Sequence, residues 1–186
     1  MRFSILAAAL ALTSAAVTLG CGGKSPAAPD PIVTPAGTHQ SAINAVAGTG
    51  AGGVSVTPKA IAAATFAADI VVSIQQAKPN TTYFIQRAPE IGRTLGSDGV
   101  CQRALGISPW SAADPAAPAF LSFQIPNPGP SATLTTSATG SATMTFEFLA
   151  PMIPAGTLFD VMFRLVDNET APTLELRSGC FTVTVK

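Results

Sequence analysis

From residue 54 onward the chain alternates apolar and polar side chains with period two, which places alternate residues on opposite faces of a β-strand. Asp69 to Gln75 sets Ile70, Val72 and Ile74 on one face and Asp69, Ser73 and Gln75 on the other. Ala119 to Ile125 repeats the pattern through Leu121, Phe123 and Ile125. Thr143 to Phe148 alternates Met144, Phe146 and Phe148 with Thr143, Thr145 and Glu147, and Leu158 to Val166 alternates Phe159, Val161, Phe163 and Leu165 with Asp160 and Arg164. Thr82 to Arg87, Ala132 to Thr136, Phe181 to Val185 and a shorter strand near Val54 to Thr57 complete the set. Turns are marked at Pro79-Asn80, Asn127-Pro128-Gly129, Thr139-Gly140 and Pro154-Ala155-Gly156. About seven to nine short half-buried strands with such spacing predict an all-β fold, a two-sheet antiparallel sandwich. Leu174 and Leu176 are out of phase with Phe181, Val183 and Val185, so a glycine bulge is expected at Ser178-Gly179. The alanines of Pro58 to Ala68 suit a helix as well as a strand.

The N-terminus carries a different pattern. Met1 and Arg2 precede an almost unbroken apolar run from Phe3 to Leu19, followed by Gly and Pro with no basic stop-transfer cluster, which reads as a secretory leader rather than a retained span. It ends Val17-Thr18-Leu19-Gly20-Cys21-Gly22-Gly23. This resembles the lipobox of bacterial lipoproteins, with Thr18 and Leu19 where that family favours a Leu and a small residue. The resemblance implies that residues 1–20 are a signal peptide and that Cys21 is lipidated, its acyl chains (palmitate-like) holding the chain on a membrane. The alternative is cleavage at Ser14-Ala15-Ala16 by an ordinary signal peptidase. Gly22 stands where an Asp commonly retains such lipoproteins in the inner membrane, so the resemblance implies an outer-membrane or cell-surface location. Residues 21–37 then form a Pro- and Gly-rich tether, with His39 at its end, and residues 38–186 form the domain.

Within that domain, Ala77-Lys78-Pro79-Asn80-Thr81-Thr82-Tyr83 resembles the turn between two strands of fibronectin type III and related immunoglobulin-like domains, although the early-strand Trp of that family is missing. The resemblance implies an immunoglobulin-like sandwich, a scaffold that usually binds or spaces. Folds do not fix functions, however.

Cys101 and Cys180 remain as an even pair in an exported domain and are expected to form a disulfide, closing a loop that the chain-entropy treatment values at roughly 4 kcal/mol. The bridge would pin Ala88 to Pro118, a segment of about thirty residues with little strand pattern and so longer than ordinary connections. It holds Glu90, Arg93, Asp98, Arg103 and Trp110, the only tryptophan. Trp and Arg dominate binding hot spots, which makes Trp110, Arg103 and Arg93 the candidate recognition residues; the structural alternative is that Trp110 caps the edge of the sandwich.

Composition narrows the rest. Apolar residues make up 47% and charged residues 11%, and without Arg2 nine basic residues face ten acidic ones. No basic stripe suits nucleic acid or anionic lipid. The single histidine argues against a nucleophilic triad. Glu147, Asp160 and Glu175 occupy outward strand positions, where a solvated or salt-bridged state is usual. Asp167-Asn168-Glu169 gathers oxygens but lacks the spacing of a calcium loop. Met144, Met152 and Met162 read as core filler. No catalytic residue, cofactor site or metal site is expected. The functional expectation is a non-enzymatic cell-envelope lipoprotein, anchored through Cys21, that spaces, adheres or binds a protein or glycan. The alternative is a secreted or envelope hydrolase using carboxylates of the 88–118 loop, which would need Glu90 or Asp98 in a deep polar pocket.

Overall fold

A computed structural model describes residues 35–61, 65–107, 110 and 119–186. The expected signal peptide 1–20, Cys21 and all of the expected tether but its last three residues lie outside the described residues. The chain runs β1 (His39–Ala47), β2 (Ala51–Lys59), β3 (Thr65–Gln75), β4 (Thr82–Pro89), the short helix α1 (Gln102–Leu105), β5 (Leu121–Ser122), β6 (Thr133–Thr135), β7 (Ala142–Pro151), β8 (Leu158–Val166), β9 (Glu175–Ser178) and β10 (Phe181–Thr184). Every strand pairing is antiparallel.

The all-β expectation holds, but the strands do not part into two sheets. They hydrogen-bond into one ten-stranded sheet in the order β5-β4-β8-β9-β1-β2-β3-β7, with β6 beside β4 and β10 beside β8. This sheet curls so that its inner faces meet across one core. Phe66 of β3 meets Phe159 of β8 edge-on at 5.5 Å, and Phe123 packs against Phe146 and Phe148 of β7 at 5.1 and 5.2 Å while stacking on Phe163 of β8. Ile70, Val72 and Ile74 face this core as their period predicts.

What joins the halves is the pairing of β9 with β1, Ile43 opposite Ser178 and Ala45 opposite Leu176. The sequence pattern misses β1 because only Ile43 of its nine residues is buried. Its strand character comes from partners on both sides, β2 and β9, rather than from an apolar face. His39, expected at the end of the tether, begins this strand, where its Nε2 accepts a 3.4 Å hydrogen bond from the Thr184 amide. The last tether residues are fastened too: Thr38 N donates to Pro35 O, and Lys186 Nζ donates to Ala36 O.

The expected bulge appears as a change of register. Arg164 faces Arg177 and Leu165 faces Leu176, but Val161 faces Phe181 and Asp160 faces Thr182, one residue out of step. Ser178, buried at the break, fills the gap by accepting the Phe163 amide on Oγ at 2.9 Å. Pro58 and Lys59 close β2 and Thr65 to Ala68 open β3, so the described part of the ambiguous 58–68 stretch is strand rather than helix. Met152 departs from the core-filler reading: it is 88% exposed in a turn with φ of 66°, whereas Met162 is buried and Met144 partly so.

Phe123 touches three other rings at the centre of the core. Phe123→Ala should lower the unfolding free energy by about 3–5 kcal/mol, whereas Leu158→Ala, at an exposed position, should stay within about 0.5 kcal/mol, both measured by denaturant titration.

Candidate functional site

Strand β8 is buried on both faces. Phe159, Val161, Phe163 and Leu165 point to the main core, and on the opposite face Met162 joins Ala88, Cys101, Ala104 and Phe120 in a second, smaller cluster with Cys180 against it. The segment after β4 makes this possible by folding back over the outer face of the sheet. Glu90 N donates to Asp160 O at 2.9 Å, and Asp160 N donates to Gly96 O at 2.6 Å. The Asp160 carboxylate accepts from Gly99 N at 2.7 Å and from the Thr182 hydroxyl at 2.5 Å. Asp160 is therefore fully buried, not solvated as its outward parity suggested: outward on β8 here means under the loop, and two hydrogen-bond donors to its carboxylate replace water.

Further fastenings make the segment a cap. The disulfide joins Cys101, just before α1, to Cys180, just before β10, with the Cα atoms 5.6 Å apart. Glu90 is fully buried and its Oε1 accepts the Arg103 amide at 2.6 Å, while Arg103 returns Nη1 to Pro89 O at 3.2 Å and Nε to Ala119 O at 3.1 Å. Asp98 accepts from Val100 N and the Gln102 side chain. Gly96 is required by close approach, since a Cβ there would lie 2.1 Å from Glu90 O.

Arg93, Arg103 and Trp110 come together. The two guanidinium carbons lie 4.7 and 5.1 Å from the indole centroid, within cation–π range. The indole itself is only 9% exposed and packs within the cap. The large apolar side chains that the cap turns to solvent are Ile91, Leu95, Val100, Leu105 and Ile107, 36 to 52% exposed. They make up half of the exposed large apolar side chains among the described residues.

Beside the cap lies a half-enclosed cavity of about 60 Å³ between the halves of the sheet, lined by Phe66, Ile70, Phe148, Phe159 and other apolar side chains and by one charged residue, Arg87. The period of β4 puts it there. Tyr83 and Ile85 point into the core and Arg87 follows in the same phase, whereas Gln86 and Ala88 face outward under the cap. The Arg87 guanidinium sits 4.3 Å from the centroids of both Phe123 and Phe148, and Nη1 donates to Ser122 O at 3.3 Å. Burial, with Arg103's like charge added, lowers its pKa to about 10, so it stays cationic at neutral pH. No carboxylate lines the cavity. The sequence reading passed over Arg87, yet the parity of Tyr83, Ile85 and Arg87 is legible once the strand is assigned.

The remaining acidic groups serve the fold. Glu147 with Asp69 holds Lys59 on the outer face of β2, β3 and β7 at 3.1 and 2.6 Å. Glu175 pairs with Arg177, and Glu169 accepts from the hydroxyls of Ser122 and Ser131. In the β8–β9 turn, Asp167 accepts from Thr173 N and Leu174 N, each at 2.8 Å, and Asn168 Oδ1 from Thr170 N and Ala171 N. Among the described residues no three of His, Cys, Asp and Glu are grouped to hold a metal ion. Compared with known proteins, the chain matches no protein-family model, no curated protein and no solved structure.

Two outcomes follow for the cap. Burial, with the negative charges of Asp160 and Asp98 adding to it and the Arg103 amide opposing it, raises the Glu90 pKa above its ordinary value. The folded state thus holds that proton more tightly than the unfolded chain. Its contribution is full below an unfolded pKa of about 4.3 and fades as pH rises toward the folded value. Glu90→Gln, which keeps an oxygen for the Arg103 amide, should therefore gain in Tm relative to the parent as pH rises above about 4; a pH-independent difference contradicts the burial argument. Replacing Cys101 and Cys180 by Ala should lower stability by roughly 2–5 kcal/mol and bring the first sites of limited proteolysis into residues 91–107.

Proposed function

We propose that this chain is a non-enzymatic cell-envelope lipoprotein, exported by residues 1–20, anchored by acyl chains on Cys21, spaced by the Pro-rich residues 21–37, and binding a protein partner through the face that residues 91–107 of the cap present. The observation that carries this reading is the row of aliphatic side chains, Ile91, Leu95, Val100, Leu105 and Ile107, exposed on a segment fixed by a disulfide and buried carboxylates. A stretch that leaves apolar surface in water while its backbone is fastened suits the desolvated centre of a protein interface, because little ordering entropy is lost on docking. Aliphatic groups favour a protein over a glycan here, since the one indole that would stack on a sugar is inside the cap. The carboxylates that a hydrolase would use, Glu90 and Asp98, are engaged in holding the loop.

The scaffold is read as immunoglobulin-like. The pairings β2–β3, β3–β7, β4–β8 and β8–β9/β10 follow the neighbour order A-B-E and C-F-G of that fold, with β5 and β6 flanking β4. In this reading β1 is an extra strand that joins A to G.

Two measurements test the proposal. The intact mass of the membrane-fraction protein, expressed with its own leader in a bacterium, should equal a chain starting at Cys21 with glycerol and three acyl chains; a soluble chain with another start overturns the anchor. A photo-crosslinker at Leu105 should give a discrete adduct in the native envelope that Leu95→Asp abolishes, while the same probe at exposed Val46 on β1 gives none. Equal labelling from both positions, or none from Leu105, overturns the recognition face.

A further inference from the structure

The cavity beside Arg87 presents an energetic problem that the fold leaves open. A cation turned toward apolar walls is costly unless it is paired, and buried charges are normally matched by an opposite charge or fully hydrogen-bonded. Arg87 has two aromatic faces, Phe123 and Phe148, and one carbonyl, Ser122 O, against the five N–H donors of a guanidinium. Among the described residues none supplies it with a carboxylate. The charge of Arg103 acts on it and repels. Meanwhile the space it faces is lined by Phe66, Ile70, Phe148 and Phe159, which offer nothing to hold ordered water.

We propose that this cavity binds a short aliphatic monocarboxylate, the carboxylate meeting the Arg87 guanidinium and the alkyl chain lying against Phe66, Ile70, Phe148 and Phe159. Three observations define the ligand. The planar fork of Arg87 matches a carboxylate in two parallel hydrogen bonds. Contact of the guanidinium with two Phe rings, whose planes stand at 87° to each other, restrains that fork before any ligand arrives, so little side-chain entropy is lost on binding. The volume, about 60 Å³, admits only a short chain, and the half-exposed Ile91 among the lining residues marks where a longer one emerges. An alcohol of the same length fills the apolar part and leaves the cation unmatched, and an alkylammonium adds a second positive charge.

The test uses the full chain carrying Cys21→Ser, so that no acyl chain of the protein competes for the cavity, titrated with sodium hexanoate by calorimetry and followed by thermal unfolding. Saturable hexanoate binding with a Kd at or below about 10 mM, at least about tenfold tighter than 1-hexanol or hexylammonium, is the expected result. Arg87→Met should erase the preference for the carboxylate. Ala150→Phe, which adds bulk at a lining position without touching the guanidinium, should abolish binding of hexanoate and hexanol alike. Each variant is scored only if its circular dichroism and cooperative unfolding match the parent, with Arg87→Gln and Ala150→Leu replacing either variant that fails. Absence of saturable hexanoate binding in the folded parent overturns the proposal, as does equal binding of hexanoate and hexanol or a carboxylate preference that survives in a folded Arg87 variant.

Discussion

The buried Asp160 carboxylate ties together the parts of this molecule that the backbone ladder alone would leave separate. It lies on the outer face of β8, where an ordinary half-buried strand would show a solvated residue, and accepts hydrogen bonds from Gly99 of the cap and from Thr182 of β10. Its own backbone completes the arrangement, with the carbonyl taking the Glu90 amide and the amide giving to Gly96. A buried acceptor of this kind is expensive to leave unmatched, so the cap and the strand beside β8 are held in one geometry. The Cys101–Cys180 bridge makes the same connection covalently, and the small cluster of Ala88, Ala104, Phe120 and Met162 supplies the apolar contact between the two.

The cap in turn decides what the surface can do. Glu90 and Gln102 turn inward to hold its described residues, Trp110 packs within it, and five aliphatic side chains turn outward. That is why the proposed recognition face is aliphatic rather than aromatic. On the inner side of the same strand, β4, the chain keeps its phase and delivers Arg87 into an apolar space between Phe123 and Phe148. The face proposed to dock a protein and the cavity proposed to take a carboxylate are thus two consequences of one strand: its end feeds the cap, and its inward parity supplies the cation.

The curl of the sheet rests on a weaker-looking device. One extra residue near Ser178 and Gly179 shifts the register of β9 relative to β10, so that β9 serves β8 and β1 together while β10 continues along β8. Bulges bend and twist the strand that carries them. Here the bend coincides with the junction between the halves of the sheet, and the Ser178 side chain takes the Phe163 amide there.

Local pattern alone determined most of the strands and their inward faces, because a half-buried strand writes its environment into every second residue; the bounds of β8 and the phase break at Ser178-Gly179 follow directly from that. It also singled out Cys101 and Cys180, and it drew attention to the loop with Arg93, Arg103 and Trp110. Three things were decided only by tertiary structure. β1 has almost no apolar face, so nothing in its own residues distinguishes it from linker until β2 and β9 flank it. Asp160 reads as a surface carboxylate, since parity reports which side of a strand a residue occupies but not whether another segment covers that side. The pairing of β9 with β1 turned two expected sheets into one, because alternation specifies a face to bury and is silent about which neighbour forms the hydrogen bonds at the edge.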